Sequence, residues 1–351
     1  MECPPTRQHR LCRLRQAASL PAIAALIASV MFLGGCGAAP VAPPTGGPPT
    51  VPTGVLRVIT EPGDGYRSVD ALIAGARHTV ELSMYELADD RAEGLLIGAA
   101  GRGVRVRVLL DRAFGGLSVN RSTFSRLASA GVPVRWAPAQ RILHQKTVTV
   151  DGAVSAVMTG NLTSRFYPTD RDFVVIDKDP SAVGAIESVF ADDWRGSPYV
   201  GGFTTAGLVW SPGAETALVE LIDSARHSLK VENEEMDSPA VESTLEAASR
   251  RGVEVEVTMT ADPRWTAAFT ALTRAGVHVA TYPDRSSDLF IHAKAMVSDG
   301  KTAFIGSQNL STSSLRANRE LGVIASDPAA VDAVNRVMAS DFARATVFGS
   351  P

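Results

Sequence analysis

Two segments of this chain carry the same reactive side chains in the same order. Each has an imidazole, an ammonium two residues later and a side-chain amide 17 residues after the imidazole. At an offset of 148 residues, the two sets are His144, Lys146 and Asn161, and His292, Lys294 and Asn309. Near neutral pH, one imidazole can attack phosphorus while another protonates the leaving oxygen. Lysines and amides suit phosphate oxygens, so these residue types fit displacement at phosphorus where both segments reach one point.

Three further polar positions repeat in the same register, which is hard to assign to chance. An aspartate follows each histidine by 7 residues, a hydroxyl by 15 and a second acid by 28. They are Asp151, Thr159 and Asp172 in the first half, and Asp299, Ser307 and Glu320 in the second. The hydroxyls and the two asparagines are predicted to bind phosphate oxygens. Asp172 and Glu320 would orient the histidines by accepting from the far ring nitrogen, or they are solvated charges at strand ends.

The elements that must hold these side chains follow from the hydrophobic pattern. Residues 290–298 and 302–306 are predicted as the two strands of a hairpin, with the Asp-Gly dipeptide at 299–300 as its turn. His292 and Lys294 would then project to one face. The turn aspartate is better placed to brace the hairpin than to touch a substrate. The first segment predicts an equivalent hairpin.

Strands and helices alternate through the rest of the chain after residue 55, which implies a mixed or largely parallel sheet covered on both faces. Short stretches besides the motifs recur in both halves and indicate a duplication. Tyr85-Glu86 and Glu234-Glu235 end equivalent strands, where they either line a site or form salt bridges.

The repeated segments resemble a known signature. H-Q-K-T-V-T-V-D at 144–151 and H-A-K-A-M-V-S-D at 292–299 resemble the HxKxxxxD motif of the phospholipase D superfamily, in duplicate. G-S-Q-N at 306–309 matches the GSxN that follows it, whereas the first copy reads M-T-G-N at 158–161. The resemblance implies two tandem phospholipase D-like α/β/α sandwich lobes. Their sheets would be mixed and mostly parallel, the lobes would be related by a pseudo-two-fold axis, and both hairpins would face the seam.

The resemblance also implies roles. It counts Asp151 and Asp299 with the catalytic residues and implies a covalent phosphohistidine. No metal or cofactor is expected, because the lysines perform the electrostatic role. The resemblance assigns His144 as the nucleophile and His292 as the acid, an order that the residues alone leave open.

The first 35 residues are predicted to be a lipoprotein signal peptide. Four arginines precede a 17-residue apolar run at 17–33, which is short for a membrane span. The run leads into L-G-G-C at 33–36, which resembles a bacterial lipobox and implies lipidation of Cys36; an uncleaved anchor is the alternative. Residues 36–54, rich in Pro and Gly, would form a tether ahead of lobes at 55–198 and 199–351. We therefore expect an exported protein, lipid-anchored to the outer face of the cell membrane.

The net charge and the predicted lipid anchor decide the order in which we rank the possible substrates. Loss of the leader, with its four Arg and one Glu, leaves 30 basic and 36 acidic residues, a net charge of −6, whereas polyanion-binding surfaces are usually basic. The predicted partner is a phospholipid at a membrane surface, and the predicted activity is phospholipase D-type hydrolysis. A nuclease of the same mechanism and a cardiolipin synthase-like transphosphatidylase are alternatives. A catalytically inactive binding lipoprotein is disfavoured because both motifs are intact. The oligomeric state stays open.

Overall fold

The computed structural model describes residues 55–113, 115–199, 201, 204–285 and 287–349. The predicted signal peptide, Cys36 and the tether lie outside these residues. Among the residues described, no helix combines the length and the hydropathy that a membrane span requires. The architecture below therefore concerns the two predicted lobes, which belong to one unit, Pro48–Pro351.

The first lobe is a mixed sheet with helices on both faces. Its elements are β1 (Leu56–Glu61), α1 (Arg67–Gly75), β2 (Thr79–Met84), β3 (Leu87–Ala88), α2 (Asp90–Gly101), β4 (Arg105–Leu110), α3 (Gly116–Ser129), β5 (Val134–Trp136), β6 (Thr147–Val150), β7 (Val154–Met158), β8 (Leu162–Thr163), a 3₁₀ turn (Ser164–Phe166), β9 (Asp170–Asp177) and α4 (Pro180–Arg195). The strand order is β1-β9-β7-β6-β2-β4-β5. Neighbours are antiparallel from β1 to β2 and parallel from β2 to β5.

The second lobe repeats this plan. Its elements are β10 (Thr204–Thr205), β11 (Leu208–Ser211), α5 (Ala214–Ser224), β12 (Ser228–Glu232), β13 (Met236–Asp237), α6 (Pro239–Arg250), β14 (Glu254–Thr260), a 3₁₀ turn (Pro263–Trp265), α7 (Thr266–Arg274), β15 (His278–Tyr282), β16 (Phe290–Ile291), β17 (Ala295–Ser298), β18 (Thr302–Gly306), β19 (Leu310–Ser311), α8 (Thr312–Arg316), β20 (Glu320–Ala325), α9 (Pro328–Arg344) and β21 (Thr346–Val347). The order β11-β20-β18-β17-β12-β14-β15, with β10 and β21 at the edges, matches the first sheet strand for strand. The predicted tandem α/β lobes with mixed sheets are confirmed.

Strand β9 shows how each sheet is covered on two sides. Along a strand, successive side chains point to opposite faces. Val174 packs with α1 and α2 in the core of the first lobe. Phe173 and Val175 pack instead with Ile186 of α4 and with Leu321 of the second lobe. An apolar layer therefore joins the two lobes and holds the seam at which the repeated motifs meet.

Two buried ion pairs cross the seam in a reciprocal way. Arg171 of the first lobe binds Asp341 of the second, and Arg319 of the second binds Asp193 of the first, with Nη2 3.0 Å from Oδ1. Arg319 is equivalent to Arg171 and Asp341 to Asp193, each at the offset of 148 residues. In a two-fold arrangement, an arginine of each lobe binds the equivalent aspartate of the other lobe, as is seen here. The chain thus pairs its lobes about a pseudo-two-fold axis.

Breaking one crossing pair is expected to destabilise the protein. Arg319 is 2% exposed and lies over the rings of Tyr199 and Trp210. Arg319→Ala would leave Asp193 buried without its partner, which typically costs about 3–5 kcal/mol. Denaturant unfolding should show a clear loss of stability. Arg250→Ala, which removes an exposed pair with Glu246, is the control and should change little. Equal midpoints for the two variants would contradict a structural role for the crossing pair.

Candidate active site

Each histidine lies where the chain crosses from one lobe to the other. Residues 290–298 were predicted as one continuous strand, which is wrong. Strand β16 pairs in parallel with β9 of the first lobe, whereas β17 pairs with β12 and β18 of the second. His292 and Lys294 lie between them, because the chain changes sheets there. In the first half, Leu143 bridges to Arg319 in the same way, and the backbone N–H of His144 donates to the carbonyl of Arg319.

The crossing gives each histidine an acid from the opposite lobe. Nδ1 of His144 lies 2.8 Å from Oε2 of Glu320, and Nδ1 of His292 lies 2.9 Å from Oδ1 of Asp172. A carboxylate only accepts here, so each Nδ1 carries the hydrogen and Nε2 is the reactive nitrogen. The structure therefore places Asp172 and Glu320 where histidine-orienting acids belong. The spacing of 28 residues between histidine and acid within each half did not indicate that each acid orients the histidine of the other half.

The two lysines are fully buried beside the histidines. Each Nζ donates to the backbone carbonyl of the histidine two residues before it. Tyr85 closes the first side, since its ring lies 5.3 Å from Nζ of Lys146 and meets the His144 ring edge-on at 4.8 Å. Glu234 lies on the second side, 2.9 Å from Nζ of Lys294. Tyr85 therefore lines the site, and Glu234 both lines the site and forms a salt bridge.

The hydroxyls predicted to bind phosphate have partners on the strands that carry the acids. Thr159 donates to Oδ1 of Asp172 and accepts from the backbone N–H of Phe173. Ser307 accepts from the backbone N–H of Leu321, the equivalent position. Both residues are fully buried. They fix the strands that carry the acids, and their predicted binding of phosphate stays a prediction.

The asparagines stay beside the site. Oδ1 of Asn161 accepts from the backbone N–H of Glu86, which turns its amide N–H groups to the other side. Asn309 is buried and anchored by its backbone N–H, which donates to Ser314. Their predicted binding of phosphate stays a prediction.

The motif aspartates do not join the cluster. Asp151 and Asp299 each accept hydrogen bonds from three consecutive backbone N–H groups, those of 77–79 and 226–228. Each sits in the left-handed region ahead of a glycine in the same region, as an Asp-Gly hairpin turn requires. Slight burial would raise the pKa of each carboxyl, but the three donors outweigh it and lower the pKa. The structure thus corrects the expectation that these two aspartates are catalytic, because they brace the hairpins.

The pKa values of the two histidines shift in opposite directions although the motifs around them repeat. Burial lowers the pKa of His144, and together with the nearby lysines it outweighs the opposing effect of Glu320. Burial would also lower the pKa of His292, but Asp172 and Glu234 together raise it above its ordinary value. Burial also lowers the pKa of Lys146 to about 7. The lowered pKa of His144 favours the neutral base with a free Nε2 lone pair, and the raised pKa of His292 favours the protonated form.

Within the described residues, one group of side chains could also hold a metal ion. Asp170, Asp172 and His292 each offer one atom, all within 4.8 Å of one another. The hydrogen bonds from His292 and Thr159 to Asp172 already account for the closest contacts. We therefore assign no ion to this group, and metal independence stays a prediction.

The fold and the paired motifs define a family. The family model "Cardiolipin synthase, PLD-like domain" matches residues 69–194 and 218–342, one match in each lobe. The chain belongs to this family, and thereby to the phospholipase D superfamily of enzymes that act on phosphodiesters.

Individual relatives agree with this assignment. Cardiolipin synthase A of Pseudomonas aeruginosa strain LESB58 is 25% identical over 349 residues, covering 86% of this chain and 69% of the relative. Cardiolipin synthase A of Proteus mirabilis strain HI4320 is 24% identical over 344 residues, covering 83% and 70%. The crystal structure of phosphatidylserine synthase from Haemophilus influenzae Rd KW20 shares the fold, with a TM-score of 0.68 at 13% identity over 85% of this chain and 88% of that one.

Proposed function

We propose that this protein is a cardiolipin synthase-like transphosphatidylase, which moves a phosphatidyl group from a phospholipid to an alcohol. The observation that carries the proposal is the geometry of one buried site, in which an acid of the opposite lobe orients each histidine through Nδ1 and leaves Nε2 for chemistry. Burial lowers the pKa of His144, whereas Asp172 and Glu234 outweigh burial and raise the pKa of His292. One is suited to attack phosphorus and the other to release the leaving alcohol. The family match in both lobes supports this class of reaction.

The first half-reaction consumes the donor lipid. Nε2 of His144 bonds to phosphorus as the bond from phosphorus to the headgroup oxygen breaks, and His292 gives that oxygen its proton. In the second half-reaction, the acceptor hydroxyl returns a proton to His292 and its oxygen bonds to phosphorus. The nitrogen–phosphorus bond then breaks and His144 is restored. The lysines stabilise the charge on the phosphate oxygens throughout.

Restricted access of water favours transfer over hydrolysis. The side chains of His144 and His292 are each only 12% exposed, and Lys146 and Lys294 are fully buried. Keeping water out protects a reactive intermediate until the acceptor binds. Phospholipase D-type hydrolysis, ranked first from the sequence, becomes the second candidate because the relatives are named cardiolipin synthases.

Nucleic acid is the third candidate. Besides the two histidine partners, the site holds the carboxyl of Glu234. Burial alone would raise its pKa, but Lys294 and His292 outweigh burial and lower the pKa, so that Glu234 is ionised. Carboxylates at a site oppose a polyanion, in agreement with the net acidic composition.

Product analysis tests the proposal. The purified protein is incubated with phosphatidylglycerol vesicles, with and without added short-chain alcohol, and separately with single-stranded DNA. Transfer predicts cardiolipin and free glycerol, and a phosphatidyl alcohol when alcohol is added. Phosphatidic acid as the sole lipid product would replace transfer by hydrolysis. Cleaved DNA with unchanged lipid would select the nuclease. His144→Ala is the control for a contaminating activity.

The membrane location is a separate proposal that rests on residues 1–54. Lipidation of Cys36 would hold the site within reach of phospholipid by way of the tether. Fractionation of cells that express Cys36→Ser tests it: the variant should leave the membrane, and an unchanged membrane fraction would contradict the anchor.

A further inference from the structure

A single carboxylate oxygen bridges the reactive groups of the second motif. Oε2 of Glu234 lies 2.9 Å from Nζ of Lys294 and 3.4 Å from Nε2 of His292. Nε2 is the nitrogen that faces the substrate, because Nδ1 is held by Asp172. Glu234 follows β12, and its side chain is 17% exposed. It therefore contacts the acid side of the site directly, outside the repeated motif.

The equivalent carboxylate of the first lobe does not do this. Glu86 lies 148 residues earlier, after β2, and is 4% exposed. Burial raises the pKa of Glu86, in contrast to the lowered pKa of Glu234. Within the described part of the chain, no carboxylate lies at ion-pair distance from Lys146, and Glu320 contacts His144 only through Nδ1. The halves also differ in Tyr85, which packs on Lys146 and His144 and is replaced by Asn233 at the equivalent position, but the contact of Glu234 is the one that places a charge beside Nε2.

We infer that Glu234 makes the two pseudo-equivalent halves chemically unequal, because its bridge to Lys294 and to Nε2 of His292 keeps the proton on His292 and so sets it as the acid. His144, whose Nε2 has no such contact among the described residues, is left as the nucleophile. The assignment of His292 as the acid rests on the proposed phosphohistidine chemistry, whereas the effect of Glu234 on the proton of His292 does not. Glu234 acts through His292, so it is a positioning residue.

The charged groups around His292 decide the sign of the effect. Asp172 and Asp170 face it from β9, Lys294 follows it in the chain, and Glu234 and Glu86 approach from the ends of β12 and β2. Lys294 disfavours the proton, while the acids favour it. Removing the charge of Glu234 lowers the affinity of His292 for its proton. A general acid is available only below its own pKa, so activity is then lost at a lower pH.

Histidine ring NMR tests the inference without a substrate. Spectra of the full-length protein with labelled histidine, assigned with His292→Gln, give the titration midpoint of His292. Glu234→Gln should lower that midpoint by about 1 pH unit, the scale of one nearby charge. Glu86→Gln is the matched variant and should lower it by much less. Glu234→Asp, which restores the charge, should recover at least half of the shift. An unchanged midpoint in Glu234→Gln, an equal shift in Glu86→Gln or no recovery in Glu234→Asp would overturn the inference.

Kinetics separate this inference from the proposed function. In Glu234→Gln, the alkaline limb of kcat/KM on phospholipid should move down by about the same amount, ~1 pH unit. The limb should stay in place for a nitrophenyl phosphodiester, whose leaving group needs little protonation. A shifted NMR midpoint without any lipid turnover would sink the proposed function and keep the role of Glu234. Lipid turnover with an unshifted midpoint would overturn the role of Glu234 and keep the proposed function.

Discussion

Replacing His144 by alanine is expected to abolish both turnover and any covalent phosphoenzyme. His144 is the neutral histidine, and its Nδ1–H is held by Glu320 and by the carbonyl of Ser307, so Nε2 is free to attack. Loss of a nucleophile typically lowers turnover by about 10⁴-fold or more. Steady-state rates and labelling with a radioactive donor lipid measure the two effects.

His78→Ala provides the control for this substitution. His78 is exposed, directly precedes β2 and donates its backbone N–H to Asp151 of the first motif. Its variant should retain wild-type rates. Wild-type rates in His144→Ala as well would show that the duplicated motif is not the site, and the proposed function would fail with it.

Replacing His292 by alanine should discriminate between substrates. A lipid headgroup leaves as a poor alkoxide, so loss of the acid should slow phospholipid turnover by about 10²–10⁴-fold. Release of nitrophenol from an activated phosphodiester should be affected far less, because that leaving group is stable without a proton. Parallel rate measurements on both substrates give the contrast. If His144→Ala spared the activated substrate and His292→Ala did not, the two roles would be exchanged.

The sequence revealed those parts of the site that follow from local repetition. The shared register placed His144 with Lys146 and His292 with Lys294, and the Asp-Gly dipeptides predicted the turns that the backbone adopts. Alternation of strands and helices predicted the lobes. These features depend on residues close together in the chain, where turn chemistry and side-chain periodicity apply.

Other parts depend on contacts between distant segments, which spacing does not encode. The exchange of Asp172 and Glu320 arises because β16 pairs with β9 and not with its own sheet. The role of Thr159 depends on the strand that its hydroxyl meets.

The departure of the first copy from G-S-Q-N has a similar origin. A Cβ at Gly160 would lie 2.3 Å from Oδ2 of Asp172 and 2.0 Å from the hydroxyl of Tyr66. In the second half, Gln308 is equivalent to Gly160 and Ala214 is equivalent to Tyr66. Each half therefore has one large and one small residue at this pair of positions, and the two loops fill the space although their sequences differ.

The most direct test of the whole account is to locate the covalent intermediate. In His292→Ala the acceptor has no base to take its proton, so an activated phosphodiester should load the enzyme faster than the acceptor unloads it. Acid-sensitive adducts call for quenching in alkali, followed by peptide mass spectrometry of both motifs. The account predicts a phosphoryl adduct on the peptide with His144 and an unmodified peptide around position 292. An adduct confined to another residue, or turnover of the activated substrate through no adduct at all, would contradict it.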